Sequence, residues 1–160
     1  MEQIQRILHQ IWLGPDKMPD DQWAWCNKWK RQCAKQKIQY KLWRDADVAK
    51  LEWPELALIQ RVSSMAQRAD ILRLALLYYQ GGVYLDTDVE PVKSIAPLYS
   101  FSSSMLVCHE TSDQLGTAFI AARANSSILR LMLDRIPHQL ALRLPIYLQT
   151  GPGLVTSVLK

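Results

Sequence analysis

Apolar and polar residues follow two rhythms along this chain, and each change of rhythm marks an element. Ile7 to Trp12 is a short apolar run closed by Gly14-Pro15, which predicts a buried strand. Asp20 is placed to cap a helix running to about Gln36, with Trp25 and Trp29 one turn apart on a shared face. Ile38, Tyr40 and Leu42 alternate with polar neighbours, the pattern of a half-buried strand. Short helical pieces are expected over 46–62, interrupted at Pro54.

The clearest unit comes next. Ser63 or Ser64 caps a helix continuing through Tyr79, apolar on nearly every side, so it should be buried on more than one. Gly81-Gly82 supplies its left-handed stop. Val83-Tyr84-Leu85 then reads as a buried strand leading into Asp86-Thr87-Asp88 in extended chain. Further strands are expected at Met105 to His109 and Thr117 to Ala122. Asn125 caps an amphipathic helix that stops at Pro137, and Gly151-Pro152-Gly153 opens a last short helix. Strands alternating with helices predict an α/β fold with a mostly parallel sheet.

At 160 residues, 49% of them hydrophobic and 21% charged, the chain suits one domain over 1–160 with a real core, not a disordered segment. No apolar run approaches the roughly 18 residues that span a bilayer. The Met1-Glu2-Gln3-Ile4-Gln5-Arg6 start lacks the apolar stretch of a secretory signal, so a cytoplasmic location is expected, with at most peripheral membrane contact. Cys26, Cys33 and Cys108 share no metal-ligand spacing and read as thiols in a reducing compartment. Much of the +4 net charge lies in Lys28, Lys30, Arg31, Lys35, Lys37 and Lys41. These suit a solvated helix face; a nucleic-acid surface is the alternative, but the run has no recognisable RNA- or DNA-binding pattern.

A lone Asp-x-Asp means little, because ten aspartates give roughly 0.6 such spacings by chance. Asp45-Ala46-Asp47 sits at an expected helix start, where acids favour the helix dipole. Asp86 and Asp88 differ, for they follow a glycine pair and an apolar strand. That is the strand end where open α/β sheets bind ligands. Two carboxylates so close repel unless a cation joins them, and hard oxygen ligands suit Mn²⁺ or Mg²⁺ shared with substrate phosphates. Asp70 and Arg73, three apart on the apolar helix, must be paired or do a job. They form either an ion pair or a sugar-binding pair, Asp70 accepting from hydroxyls and Arg73 donating to oxygens.

His9-Gln10-Ile11-Trp12-Leu13-Gly14, Tyr40 to Asp45, Ala69-Asp70-Ile71-Leu72-Arg73 and Gly81 to Asp88 together resemble, in this order, glycosyltransferase family 32. This is the DXD-motif group of mannosyltransferases and capsule enzymes, similar at greater distance to clostridial toxin glucosyltransferase domains. The resemblance implies a GT-A fold, a nucleotide-sugar donor (UDP- or GDP-hexose), a glycan or other hydroxyl acceptor, no nucleic acid, and transfer with retention of configuration. It further implies that Trp12 stacks on the base and that Asp70 and Arg73 hold the donor sugar. Tyr84 would lie along the donor pocket, Asp86 would contact ribose or sugar hydroxyls and a metal-bound water, and Asp88 would ligate the metal. The family often carries an Asn near Thr117, absent here, and usually continues past Thr150-Gly151-Pro152, so the chain is expected to lack a C-terminal region. A binder of nucleotide-sugars without catalysis is the alternative.

Overall fold

The structure, a computed structural model, describes residues 3–160; Met1 and Glu2, the first of the residues read for a signal, lie outside the described residues. In chain order the elements are β1 (Ile7–Ile11), α1 (Asp20–Lys35), β2 (Gln39–Trp43), α2 (Asp45–Val48), α3 (Glu55–Arg61) and α4 (Met65–Gln80). There follow β3 (Gly82–Leu85), a 3-10 turn (Ala96–Ser100), β4 (Met105–His109), β5 (Leu115–Ala122), α5 (Ser127–Ala141), α6 (Ile146–Gln149) and α7 (Pro152–Leu159).

The five strands form one open sheet in the order β2-β1-β3-β5-β4. β1 pairs in parallel with β2 and β3, whereas β5 runs antiparallel to both β3 and β4. Four strands therefore share one direction and β5 alone opposes it. This is an α/β sheet whose crossovers require helices. The helices cover both faces. Leu8, Val83, Leu85 and Ala121 point to a core that holds Trp29 and Cys33 of α1 and Tyr99 of the 3-10 turn. Tyr84, Ile120 and Ala122 point the other way, into the core built on α4, α5 and α7. The alternation of β3 and β5 between these two cores is the period of two made visible. Among the described residues no helix is long and apolar enough to cross a membrane.

α4 explains itself. Ser64 accepts from the Gln67 amide at 3.4 Å as its N-cap, and Asp70 to Leu77 are all buried. It ends where Gly81 (φ +65°) and Gly82 (φ +104°) take left-handed backbone. At Gly82 an added Cβ would meet the Ile7 carbonyl oxygen at 2.5 Å, so only glycine lets β3 lie against β1 here.

Four sequence expectations need correction. Asp20 does not cap α1: Pro19 holds the N-cap position without a side-chain bond, and Asp20 and Asp21 occupy the first turn, favourably placed for the dipole. Asn125 adopts left-handed backbone (φ +58°) and Ser126 is the N-cap of α5. Pro137 does not stop that helix, which continues to Ala141. The proline is exposed, and burial of Leu129, Met132, Leu133 and Ile136 outweighs the one hydrogen bond it removes. Finally, Asp86 to Asp88 is not extended chain: the Val89 amide donates to the Asp86 carbonyl at 3.2 Å, closing a turn directly after β3.

Candidate functional site

The turn sits at the carboxyl ends of β1 and β3, where it forms one wall of a cleft of about 380 Å³. Asp86, Asp88, Tyr84, Arg73 and Trp12 all line this cleft, together with residues that include Asp16, Gln22, Met65 and Thr87. The two carboxylates thus open onto one space despite the turn.

Besides the turn bond from Val89, Asp86 is held at four points. Its amide donates to the Ala118 carbonyl at 2.9 Å on β5, and its carbonyl accepts from Gln10 Nε2 at 3.2 Å on β1. Its Oδ1 accepts from the Tyr84 hydroxyl at 2.6 Å and lies 3.4 Å from Arg73 Nη1. Burial pushes the Tyr84 phenol well above its ordinary range against the pull of Arg73, so the hydroxyl stays protonated and donates. Thr87, between the aspartates, donates to Gln22 Oε1 of α1 at 2.8 Å and pins the turn's far side. Asp88 is exposed and makes no ion pair among the described residues.

Arg73 is 7% exposed, yet it is the hub of the wall. It reaches Asp70 Oδ1 at 2.8 Å and donates to the Thr117 carbonyl at 2.7 Å, and its guanidinium lies 4.7 Å from the Tyr84 ring centre. Among the described residues its Nε–H has no hydrogen-bond partner, and a buried donor left unpaired is costly.

Asp70 does not line the cleft. It stands behind Arg73, one oxygen on the guanidinium and the other accepting from the Thr150 hydroxyl at 2.8 Å. Burial pushes its carboxyl above the usual range, opposed by Arg73 and Thr150. The ion-pair reading of Asp70 and Arg73 is what the geometry shows.

The His9-Gln10-Ile11-Trp12 segment resolves into separate tasks. His9 is fully buried: it accepts from the Trp43 indole N–H on Nδ1 at 3.1 Å, which leaves Nε2–H to donate to the Gly81 carbonyl at 2.9 Å. Desolvation lowers its pKa to about 4, so the ring is neutral at pH 7. Gln10, also fully buried, takes the Tyr40 hydroxyl on Oε1 at 2.9 Å and passes its amide to Asp86. Trp12 is partly exposed at the cleft edge, its indole N–H spent on the Asp16 carbonyl at 2.9 Å.

Sequence reasoning did not single out Gln10, Gln22 or Thr150. A glutamine inside a strand whose every residue is buried was the available signal for Gln10. The other Asp-x-Asp pair is structural, as read: Asp45 accepts from the Gly14 amide at 2.9 Å, and Asp47 pairs with Lys41, which holds its carboxyl below the usual range. The cations of α1 are exposed, and none lines the cleft around Asp86.

A divalent cation at Asp86 and Asp88 can be judged from the donor set. Among the described residues no three His, Cys, Asp or Glu side chains converge as a cage. Mg²⁺ and Mn²⁺ do not need one; they are commonly held by one or two carboxylates plus substrate phosphates and waters. Two carboxylates on one open cleft, one of them unpaired, fit a cation shared with a ligand.

A family profile described as "Glycosyltransferase sugar-binding region containing DXD motif" matches residues 19–105, a span that includes Asp70, Arg73, Tyr84, Asp86 and Asp88. The chain is 26% identical over 162 residues to inositol phosphoceramide mannosyltransferase 1 of Schizosaccharomyces pombe (strain 972 / ATCC 24843), covering 95% of this chain and 50% of the relative. It thus spans about half that relative's length. In fold it is similar to PaToxG Glycosyltransferase, with a TM-score of 0.80, 20% identity, and coverage of 99% of this chain and 68% of the other. It is also similar to the ligand-free glycosyltransferase domain from the YGT toxin, with a TM-score of 0.55, 11% identity, and coverage of 88% and 64%.

Proposed function

The chain belongs to the glycosyltransferase family marked by a DXD-containing sugar-binding region, and on that premise we propose that it transfers a hexose from a UDP- or GDP-sugar to an acceptor hydroxyl, with retention of configuration and a divalent cation as aid. One observation carries this reading: Asp86 and Asp88 open onto the same cleft as Arg73, Tyr84 and Trp12.

In the proposed complex the base lies against Trp12, and the sugar-diphosphate end reaches Asp86 and Arg73. Asp88 and Asp86 hold the Mn²⁺ or Mg²⁺, which supplies Lewis-acid neutralisation of the diphosphate. Arg73, which lines the cleft, gives a donor oxygen a charge-assisted hydrogen bond. Tyr84 keeps Asp86 oriented and Asp70 keeps Arg73 oriented, so the wall does not reorganise as charge develops. The acceptor oxygen bonds to the anomeric carbon as the carbon–phosphate oxygen bond breaks. The electron pair leaves with the nucleoside diphosphate, whose phosphate takes the acceptor proton, so no protein nucleophile is needed. A reducing, cytoplasmic setting belongs to the same reading and suits the exposed Cys108 thiol.

The test is donor turnover with Mn²⁺, with EDTA, and in Asp88→Asn. Turnover is expected to fall by about 100-fold or more in the last two, as for loss of a preorganised charge contact. Unchanged turnover in both would remove the cation from the account.

A further inference from the structure

A transferase must bring its two reactants to within about 3.5 Å of each other. The acceptor therefore needs a cavity that meets the donor cleft at its sugar end. A second cavity, of about 230 Å³, does so: Asp86 lines it as well as the donor cleft. Another cavity touches the donor cleft only through Leu13, beside Asp45 and away from Asp86, and holds about 130 Å³. We propose that the cavity between Asp86 and the β4–β5 hairpin is the acceptor site, and that it takes a neutral polyhydroxylated ring held by Glu110 and His109. This rests on the donor reading given above.

Its walls suit such a ring. Phe119 and Pro152 offer apolar surface for the C–H face of a sugar, while Glu110, His109 and Asp86 offer oxygens and nitrogens for its hydroxyls. Gly116 contributes backbone alone to this lining, and a Cβ there would stand 3.4 Å from the Glu110 Cβ. The pairing of β4 with β5 shifts register between Val107 and His109. Interrupted strand pairing of this kind re-aims the side chains that follow it, here His109 and Glu110. The hairpin tip is tied, since the Glu110 and Thr111 amides both donate to the Gln114 carbonyl, at 2.9 and 3.2 Å. Glu110 is thus carried on a hydrogen-bonded corner.

Two features join this cavity to the donor side. Thr117 lines it, and the Thr117 carbonyl receives Arg73 Nη1 at 2.7 Å. The wall shared by donor and acceptor is therefore one bonded unit, Arg73–Thr117 on one side and Asp86 on the other. The Glu110 carboxylate, exposed and without an ion pair among the described residues, also sets the ligand class: it accepts from hydroxyls and repels phosphate or carboxylate groups, so a neutral ring is preferred to an anionic one.

The test uses the whole chain with Mg²⁺ and UDP or GDP. Methyl α-glucoside and methyl α-mannoside serve as probes, read by saturation-transfer NMR, and melting temperature separately reports nucleotide binding. Glycoside contacts are expected in the wild type with nucleotide present. They should weaken about tenfold or more in Glu110→Gln, which removes the charged acceptor, and in Gly116→Val, which puts a branched side chain on the lining. The nucleotide-induced melting shift should persist in both variants. Glucose 6-phosphate should bind less well than the glycosides. The proposal is overturned by a wild type that is stabilised by nucleotide yet contacts neither glycoside. It is equally overturned by variants that bind glycoside within about twofold of wild type, or by tighter binding of the phosphate. A wild type that no nucleotide stabilises overturns the donor reading and this proposal with it.

Discussion

The hydroxyl of Thr150 donates to Asp70 Oδ2 at 2.8 Å, joining residues 80 positions apart in sequence. Thr150 is 1% exposed, and Gln149 beside it takes Gln67 Nε2 of α4 at 2.6 Å. The segment between α6 and α7 is therefore bonded to the back of the donor wall, and it fixes Asp70 while Asp70 fixes Arg73.

This relationship predicts a pH effect. Burial raises the Asp70 pKa, and the Thr150 bond, which favours the ionised form, opposes that rise. Removing the bond in Thr150→Val leaves the ionised form less favoured, so the acid limb of donor binding should move to higher pH. Thr150→Ser, which keeps the hydroxyl, should restore it. Nucleotide-induced melting shifts measured from pH 4 to pH 8 check this; superimposable limbs for Val and Ser would contradict it. Stability should also fall by about 1–3 kcal/mol in the valine variant, the cost of an unpaired buried acceptor.

Gln10→Leu should cost nucleotide binding more than its burial suggests. It removes the bond to the Asp86 carbonyl and leaves the Tyr40 hydroxyl without its acceptor. A stability loss of about 1–3 kcal/mol is expected. Chemical denaturation gives that figure, and nucleotide affinity at a temperature where the variant is still folded separates the loss of the site from the loss of the fold.

His9 sets an acid limit on stability. Its folded pKa, about 4, lies below the ordinary 6.5 because burial disfavours the cation. Between these values the unfolded chain takes up a proton that the folded chain refuses. The His9 contribution is therefore complete above pH 6.5 and is lost as pH falls toward 4, by about 3 kcal/mol in all. Urea midpoints measured from pH 7 to pH 4.5 should decline, and His9→Gln, with no proton to take up there, should show a flatter profile from a lower starting stability.

The sequence made α4, a serine cap at Ser63 or Ser64 (the structure uses Ser64), the glycine stop and β3 legible because each is a local signal. The helix pattern, the cap and the φ-permissive pair all lie within 20 residues of one another. The same locality singled out Asp86, Asp88 and Arg73, and the family resemblance added Tyr84; the fold brings all four to one cleft. What was not legible depends on register. Gln10 meets Asp86, and His9 meets Gly81, only because β1 pairs in parallel with β3 at Leu8↔Val83 and His9↔Tyr84. The passage of α5 through Pro137 was decided by tertiary burial that overrides local preference, while Asp86–Val89 closes as a turn through its own local bond. Asp70 was legible as a charge in an apolar helix. Its place behind Arg73 was not, because Thr150 lies 80 residues away.

Binding of UDP and GDP, titrated with and without Mn²⁺ against wild type and the Asp86→Asn/Asp88→Asn double variant, tests the central claim most directly. Cation-dependent binding in the wild type, lost in a double variant that still melts cooperatively, is the predicted result. Equal affinity in all four conditions would show that these two carboxylates hold no cation for a diphosphate.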